Sequence, residues 1–415
     1  MGVVRDAEGG KLMAEEGKQK AGGVPEGWRE VPIDAVAKRG SGHTPNKGNP
    51  DYWNGGIKWV SLADSSKLDN RYITETDKEI SLLGIKNSSA VLLTKGTVVL
   101  SRDAGVGKSA ILAEEMAVSQ HFMTWTADEK NTHNIFLYYW LQNKKPEFEA
   151  IATGSTIKTI GLPYFKKLNI LLPPLPEQRK IAAILSTWDD SLATLTDLIA
   201  AKRQQKRGLA EALLTGQKRL PGFEGEWEET RFSSVMQESR ISAPDELGKR
   251  LTVSLHLKGV SVREERDSSE AGKTIYYRRK TGQFIYGKQN IFRGSLGLVP
   301  QELDGYLSSQ DLPAFDIAPE YDPAFVFAFF ARPKFYEELE KIATGTGSKR
   351  VHPEAIYRLS HPLPPLPEQQ AIASVLSTLD SEIASLESLK AKVQEQKRGL
   401  MDELLTGRVR VKVDE

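Results

Sequence analysis

The sequence predicts an α+β protein with an internal pseudo-two-fold repeat: two β-rich domains separated by a long antiparallel two-helix coiled coil. Three observations carry this. The phrase LPPLPEQ occurs at 172–178 and again at 363–369. Behind each copy runs a stretch whose apolar residues recur in alternating steps of four and three, the period of a helix with a partner. Ahead of each copy lie short apolar runs bounded by Gly, Asn, Asp and Pro, the pattern of strands and turns.

The echo reaches well beyond seven residues. Ile151-Ala152-Thr153-Gly154 returns as Ile342-Ala343-Thr344-Gly345, Lys206-Arg207-Gly208-Leu209 as Lys397-Arg398-Gly399-Leu400, and Leu213-Leu214-Thr215-Gly216 as Leu404-Leu405-Thr406-Gly407, all at the same offset. Between 172 and 216 no gap is needed and 26 of 45 positions are identical to those 191 further on. That is a tandem duplication with a period far too long for a solenoid. Upstream the echo fades. Trp28 matches Trp227, and Val118-Ser119-Gln120 weakly matches Ser308-Ser309-Gln310. Each copy therefore has a divergent front and a near-constant back.

The constant part reads as helix. Its prolines suit a first turn, and Glu177 and Glu368 sit where the helix dipole favours an anion. The seam is Ile181, Leu185, Trp188, Leu192, Leu195 and Ile199 in the first copy. In the second it is Ile372, Leu376, Leu379, Ile383 and Leu386, then Val393, Leu400 and Leu404. Gly216 and Gly407 are the expected stops. Each helix should span about 39 residues, or about 58 Å. Helices of this kind need a partner. The second must return past the first, giving an antiparallel rod. The alternative is that each helix packs into its own domain core. Lys202, Lys206, Lys390 and Lys397 interrupt the seam. The expected domains are a polar tail at 1–23, fronts at 24–175 and 217–366, helices at 176–216 and 367–407, and a C-terminal tail at 408–415.

The fronts carry strand-like runs such as IKWVSLAD, SAILAEEMAVS, GQFIYG and GSLGLVPQ, with one helix each at NIFLYYWLQ and FVFAFFARP. Loops on such a frame are where function is expected.

Composition excludes some classes. The 415 residues hold no cysteine, which rules out disulfides and thiolate metal sites and fits a reducing cytoplasm. A net charge of +1 gives no global basic surface, and the divergent stretches 25–150 and 220–341 are slightly acidic. There is no apolar run of transmembrane length. AGVGKS at 104–109 falls short of a phosphate loop, because the first glycine of G-x-x-x-x-G-K-[ST] should fall at Arg102. Asn49-Pro50-Asp51-Tyr52 departs from the methyltransferase Asn/Asp-Pro-Pro-Tyr/Phe pattern at its third residue and reads as a turn. The six histidines show no ligand spacing. No catalytic constellation emerges.

What remains is basic and amide chemistry. The first front offers Lys58, Arg102 and Lys108; the second offers Arg278, Arg279, Lys288, Asn290 and Arg293. At the repeated junction Ser155 precedes Lys158, and Ser348 precedes Lys349 and Arg350. Small hydroxyl residues with a lysine suit phosphate, and Arg, Asn and Gln suit base edges. Double-stranded DNA is the favoured partner. The competing reading is a protein–protein scaffold with two binding domains on a coiled-coil rod.

The duplicated LPPLPEQ helix, the KRGL…LLTG ends and the Gly–Trp pairs at Gly27-Trp28 and Gly225-Trp227 resemble the specificity subunits of type I restriction–modification systems. The resemblance covers nearly the whole chain. It implies a non-catalytic subunit whose two fronts are target recognition domains, each reading half of a bipartite, non-palindromic site. It also implies that the helices act as a spacer and dock two modification subunits. Those partners would bind S-adenosylmethionine and methylate adenine, and restriction subunits, where present, would use ATP and Mg²⁺. No cofactor is expected in this chain.

Overall fold

The structure is a computed structural model that describes residues 23–243, 248–264 and 274–413. Before residue 23 it describes only the backbone of three short strands, Val4–Arg5, Lys11–Leu12 and Ala14–Glu16. Ala14–Glu16 pairs antiparallel with Val409–Val411, so part of the expected polar tail adds a strand. The chain divides into two compact units, Met1–Asp197 with Ser388–Glu415, and Leu198–Glu387.

In the first unit Ala37–Ser41, Phe122–Ala127, Val98–Ser101 and Ser109–Leu112 form consecutive antiparallel neighbours in a sheet, with Tyr72–Ile73 added in parallel at its edge. Trp53–Val60 lies between Ala117–Val118 and Lys78–Ile80 in a second sheet. Arg29–Pro32 pairs with Asn169–Leu172. The second unit repeats this plan from a different sequence. Met236–Ser239, Ala314–Ile317, Phe284–Tyr286 and Leu296–Leu298 form an antiparallel sheet in the same order, and Glu228–Arg231 pairs with Ser360–Leu363. The helices expected at NIFLYYWLQ and FVFAFFARP are Asn134–Asn143 and Pro323–Phe330. They are apolar nearly all round because sheet and long helix cover them.

The two long helices are Leu175–Leu214 and Leu366–Leu405, 40 residues each. Gly216 and Gly407 follow them with φ of 73° and 71°, the left-handed stop that glycine adopts without strain. Ile181, Leu185 and Trp188 at the start of the first helix share one buried core with Leu400 and Leu404 at the end of the second. In the other unit Leu213 and Leu214 share a core with Ile372 and Leu376. Helix pairing and docking into the domain core are thus one packing arrangement rather than alternatives. Leu379 and Ile383 are also buried, while Leu192, Leu195 and Leu386 are half-buried.

Three of the four lysines that interrupt the seam meet carboxylates on the other helix. Within the second unit Lys202 pairs with Glu382 at 2.7 Å and Lys206 with Asp380. Within the first, Lys397 pairs with Asp189, the same pair 191 positions on. Asp189 also accepts a 2.6 Å hydrogen bond from the Tyr139 hydroxyl, and Arg71 reaches Asp190 at 2.8 Å. Burial, followed by the charge of Asp189, pushes the Tyr139 hydroxyl well up, so it stays a donor at any working pH. Among the described residues no helix is long and apolar enough to cross a membrane.

Candidate nucleic-acid interface

Each unit rests on a buried carboxylate from the repeated phrase. Glu177 takes a hydrogen bond from Trp28 Nε1 at 3.1 Å and two from the Arg410 guanidinium at 2.7 and 2.8 Å. Glu368 takes the same set, from Trp227 Nε1 at 3.2 Å and from Arg219 at 2.6 and 2.7 Å. Each arginine also lies over its tryptophan, 5.6 Å from the Trp28 ring and 5.5 Å from the Trp227 ring. The arginine comes from just past the end of one long helix and the carboxylate from the first turn of the other. The neighbouring glutamine ties in the front. Gln178 Oε1 accepts from the His133 backbone at 2.8 Å and Gln369 Oε1 from the Asp322 backbone at 3.0 Å, each at the start of the front's apolar helix. Arg219 and Arg410 lie 191 positions apart, so the offset that exposed the repeat also marks this pair.

On this base both units build the same three-segment platform. The first segment is the repeated junction. Thr153 and Thr159 bond across it backbone to backbone at 3.1 and 2.9 Å, as do Thr344 and Arg350 at 2.9 and 2.8 Å. Gly154 and Gly345 have φ of 128° and 111°, and a Cβ on either would run into the carbonyl of Ile157 or Ser348. Only glycine closes this loop. Its tip is exposed in both copies and carries Ser155 and Lys158, or Ser348 and Lys349.

The second segment is a hairpin turn that follows Val98–Ser101 in one unit and Phe284–Tyr286 in the other. Ile160 N–H bonds to Arg102 O at 3.0 Å, and Val351 N–H bonds to Lys288 O at 2.9 Å. The third is the loop at 120–121 or 310–311. Arg102 N–H bonds to His121 O at 3.0 Å, and Lys288 N–H to Asp311 O at 3.0 Å. The backbone thereby makes Arg102 equivalent to Lys288, which no sequence match revealed, and His121 equivalent to Asp311, next to the weakly matched Gln120 and Gln310.

Most of the expected contact residues come together here. Arg102, Lys108, Ser155 and Lys158 fall on or beside the platform of the first unit; Lys288, Asn290, Arg293, Ser348, Lys349 and Arg350 on that of the second. Lys349 is held by Glu340 at 2.7 Å, and Lys108 Nζ donates to Ser65 O at 3.0 Å. The Lys349 ammonium, hydrogen-bonded to Glu340, lowers that carboxyl below its usual range.

Other expectations need correction. Arg279 is 0% exposed and spends its guanidinium on Ser308 Oγ, Ser239 O and Leu312 O at 2.6, 2.7 and 3.1 Å. Burial pulls it down to about 10, and it is a core arginine that cannot reach a duplex. Lys58 is committed to Glu114 at 2.5 Å, Glu75 at 3.3 Å and Thr74 O at 2.6 Å. Arg278 is half-buried in the strand Tyr276–Arg278, which pairs with Leu307–Ser309, and its Nη1 lies 3.4 Å from Gly305 O. AGVGKS forms the hairpin turn, and Asn49 caps a 3-10 turn at Pro50–Tyr52, accepting from Asp51 N–H at 3.1 Å. Among the described residues no cluster of His, Asp and Glu could hold a metal ion.

A family model described as the type I restriction modification DNA specificity domain matches residues 25–202 and 270–395. The chain belongs to this family. It is 24% identical to the type I restriction enzyme MjaVIII specificity subunit of Methanocaldococcus jannaschii, across 94% of each chain. The putative type I restriction enzyme MjaX specificity subunit of the same organism is 25% identical across 95% of this chain and 96% of that one. Among solved structures, the S subunit of a type I restriction–modification system from M. genitalium aligns with a TM-score of 0.53 at 14% identity, over 94% of this chain and 99% of that one. A chain from a structure of assembly and conformational transition in a type I system gives a TM-score of 0.60 at 16% identity, over 92% and 98%. At these identities the structures speak for the fold. As a member of the specificity family, the chain carries two domain matches on one repeated plan, which agrees with the duplication at offset 191.

Proposed function

We propose that the chain is the DNA sequence-recognition subunit of a type I restriction–modification complex. It reads a bipartite, non-palindromic site with one unit per half-site and docks two modification subunits on its long helices. The observation that carries this reading is the platform: one backbone arrangement, built twice, that presents different side chains in each unit. Two equal frames suit two turns of one regular duplex, and unlike side chains on them suit two unlike half-sites. The repeated loops, with exposed Ser155 and Lys158 in one and Ser348 and Lys349 in the other, grip phosphate. Restriction subunits, where the system has them, join the same complex, and S-adenosylmethionine and ATP with Mg²⁺ bind to the partners.

The helices support docking of two like partners. Leu198 is 42% exposed and Leu389 47% exposed, and they occupy the same position in the two repeats. A duplicated surface leucine gives each of two identical subunits the same contact. Replacing both with glutamate should abolish co-purification with the modification subunit without lowering the melting temperature. Retained association would remove these residues from the contact. The chain alone, given S-adenosylmethionine and DNA, should transfer no methyl group, while the chain with modification subunits should methylate a reproducible site. Transfer by the isolated chain would overturn the reading.

A further inference from the structure

We propose that Gln120 in the first unit and Arg350 in the second are specificity-determining residues, each reading one base pair of its half-site. This rests on the DNA-recognition reading above and names the side chains that would carry it.

In the first unit a chain of polar side chains crosses the platform. Thr44 Oγ1 donates to Gln120 Oε1 at 2.6 Å, and Gln120 Nε2 lies 3.5 Å from His121 Nε2. His121 Nδ1 meets Asp103 Oδ2 at 2.7 Å, and Asp103 Oδ1 accepts from Thr159 Oγ1. The carboxylate holds the proton on Nδ1, which leaves Nε2 an acceptor and fixes the Gln120 amide between Thr44 and His121. An amide has two donor hydrogens and two acceptor lone pairs. One of each is used here. One of each remains on an exposed side chain. That remainder is the pattern an adenine edge requires.

In the second unit the equivalent place carries a different network. With its amide oriented to satisfy both ends, Gln289 accepts from Arg350 Nη2 at 2.9 Å and from Ser348 Oγ at 3.1 Å. Asp311, the backbone counterpart of His121, lies 4.0 Å from Arg350 Nη2. Gln289 thus braces the Nε–Nη2 edge of the guanidinium, and the Arg350 side chain remains 41% exposed. A braced, planar fork of donors is suited to the O6 and N7 acceptors of guanine. Surface side chains lose rotamer freedom when held this way, and no core is gained in return. Both networks lie against the repeated loop, where a loop–phosphate contact would fix the register from which they read. Asp103, His121 and Gln289 are then positioning residues.

The test uses the full chain assembled with its modification subunits and a library of randomised half-sites, read by sequencing methylated products. Gln120→Ala should relax one position of one half-site by about tenfold or more, and Arg350→Lys one position of the other, since a lysine cannot make the bidentate contact. His121→Ala should relax the same position as Gln120→Ala. Melting temperatures should match the wild type. A uniform loss of methylation with unchanged preference, or a change in both half-sites from one substitution, would overturn the assignment. If the wild-type complex shows no chain-dependent site at all, the failure lies with the DNA-recognition reading itself.

Discussion

Glu368 is fully buried yet satisfied by three donors, two on Arg219 and one on Trp227. Such a pair adds little net stability against an apolar equivalent, but removing one partner strands the others. Glu368→Ala should therefore destabilise the second unit by about 3 kcal/mol. Glu368→Gln should cost less, because an amide oxygen still accepts from Trp227. Chemical denaturation followed by tryptophan fluorescence would show it, and equal losses for Ala and Gln would contradict the assignment. At the interface, Lys158 and Lys349 occupy matching loops, but Lys349 must first leave Glu340. On duplexes with and without the cognate site, Lys158→Ala should weaken binding of the assembled complex alike and reduce the salt slope by about one. Lys349→Ala should act in the same direction and less strongly. A change in the preferred sequence from either would mean these lysines contact bases. At this scale the sequence is only partly readable. Exposed loop residues such as Lys158 stand out because they repeat. The core position of Arg279 does not, because a buried arginine and a surface one look alike in a basic run.

The long helices are the most legible element, since apolar residues spaced four and three apart over 40 residues line up on one face only in a helix. What the seam does not show is why lysines interrupt it. Lys206 with Asp380, and Lys397 with Asp189, set the antiparallel register on each side of the repeat. If the helices fix the distance between half-sites, removing one heptad from each should shorten it. Deleting 191–197 and 390–396 keeps both ion pairs in register, spares the exposed Leu198 and Leu389, and removes about 10 Å of helix. On B-DNA, at about 34 Å per turn of about 10 base pairs, that equals roughly three base pairs and about a third of a turn. Methylation of a library with fixed half-sites and varied spacers should favour a shorter spacer, or fail for want of a compatible phase. Full activity at the original spacer would show that the helices are not the ruler.

Across the whole molecule, the duplication separates what both copies share from what each keeps for itself. The shared part is the PLPEQ carboxylate with its arginine and tryptophan, the long helix and the glycine-closed loop. The private part is the side chains on the platform. The common sheet order of the two fronts is hidden in the sequence, because short strands tolerate many apolar residues and the connecting loops differ in length. The equivalence of Arg102 with Lys288 emerges only from backbone hydrogen bonds. If reading is divided between two interchangeable fronts, exchanging one front should rewrite one half-site. The direct measurement is the methylated motif of the assembled complex after residues 25–150 are replaced by the corresponding front of another family member. One half of the motif should change, while the other half and the modification chemistry stay the same. A change in both halves, or in neither, would show that the two fronts do not read independently.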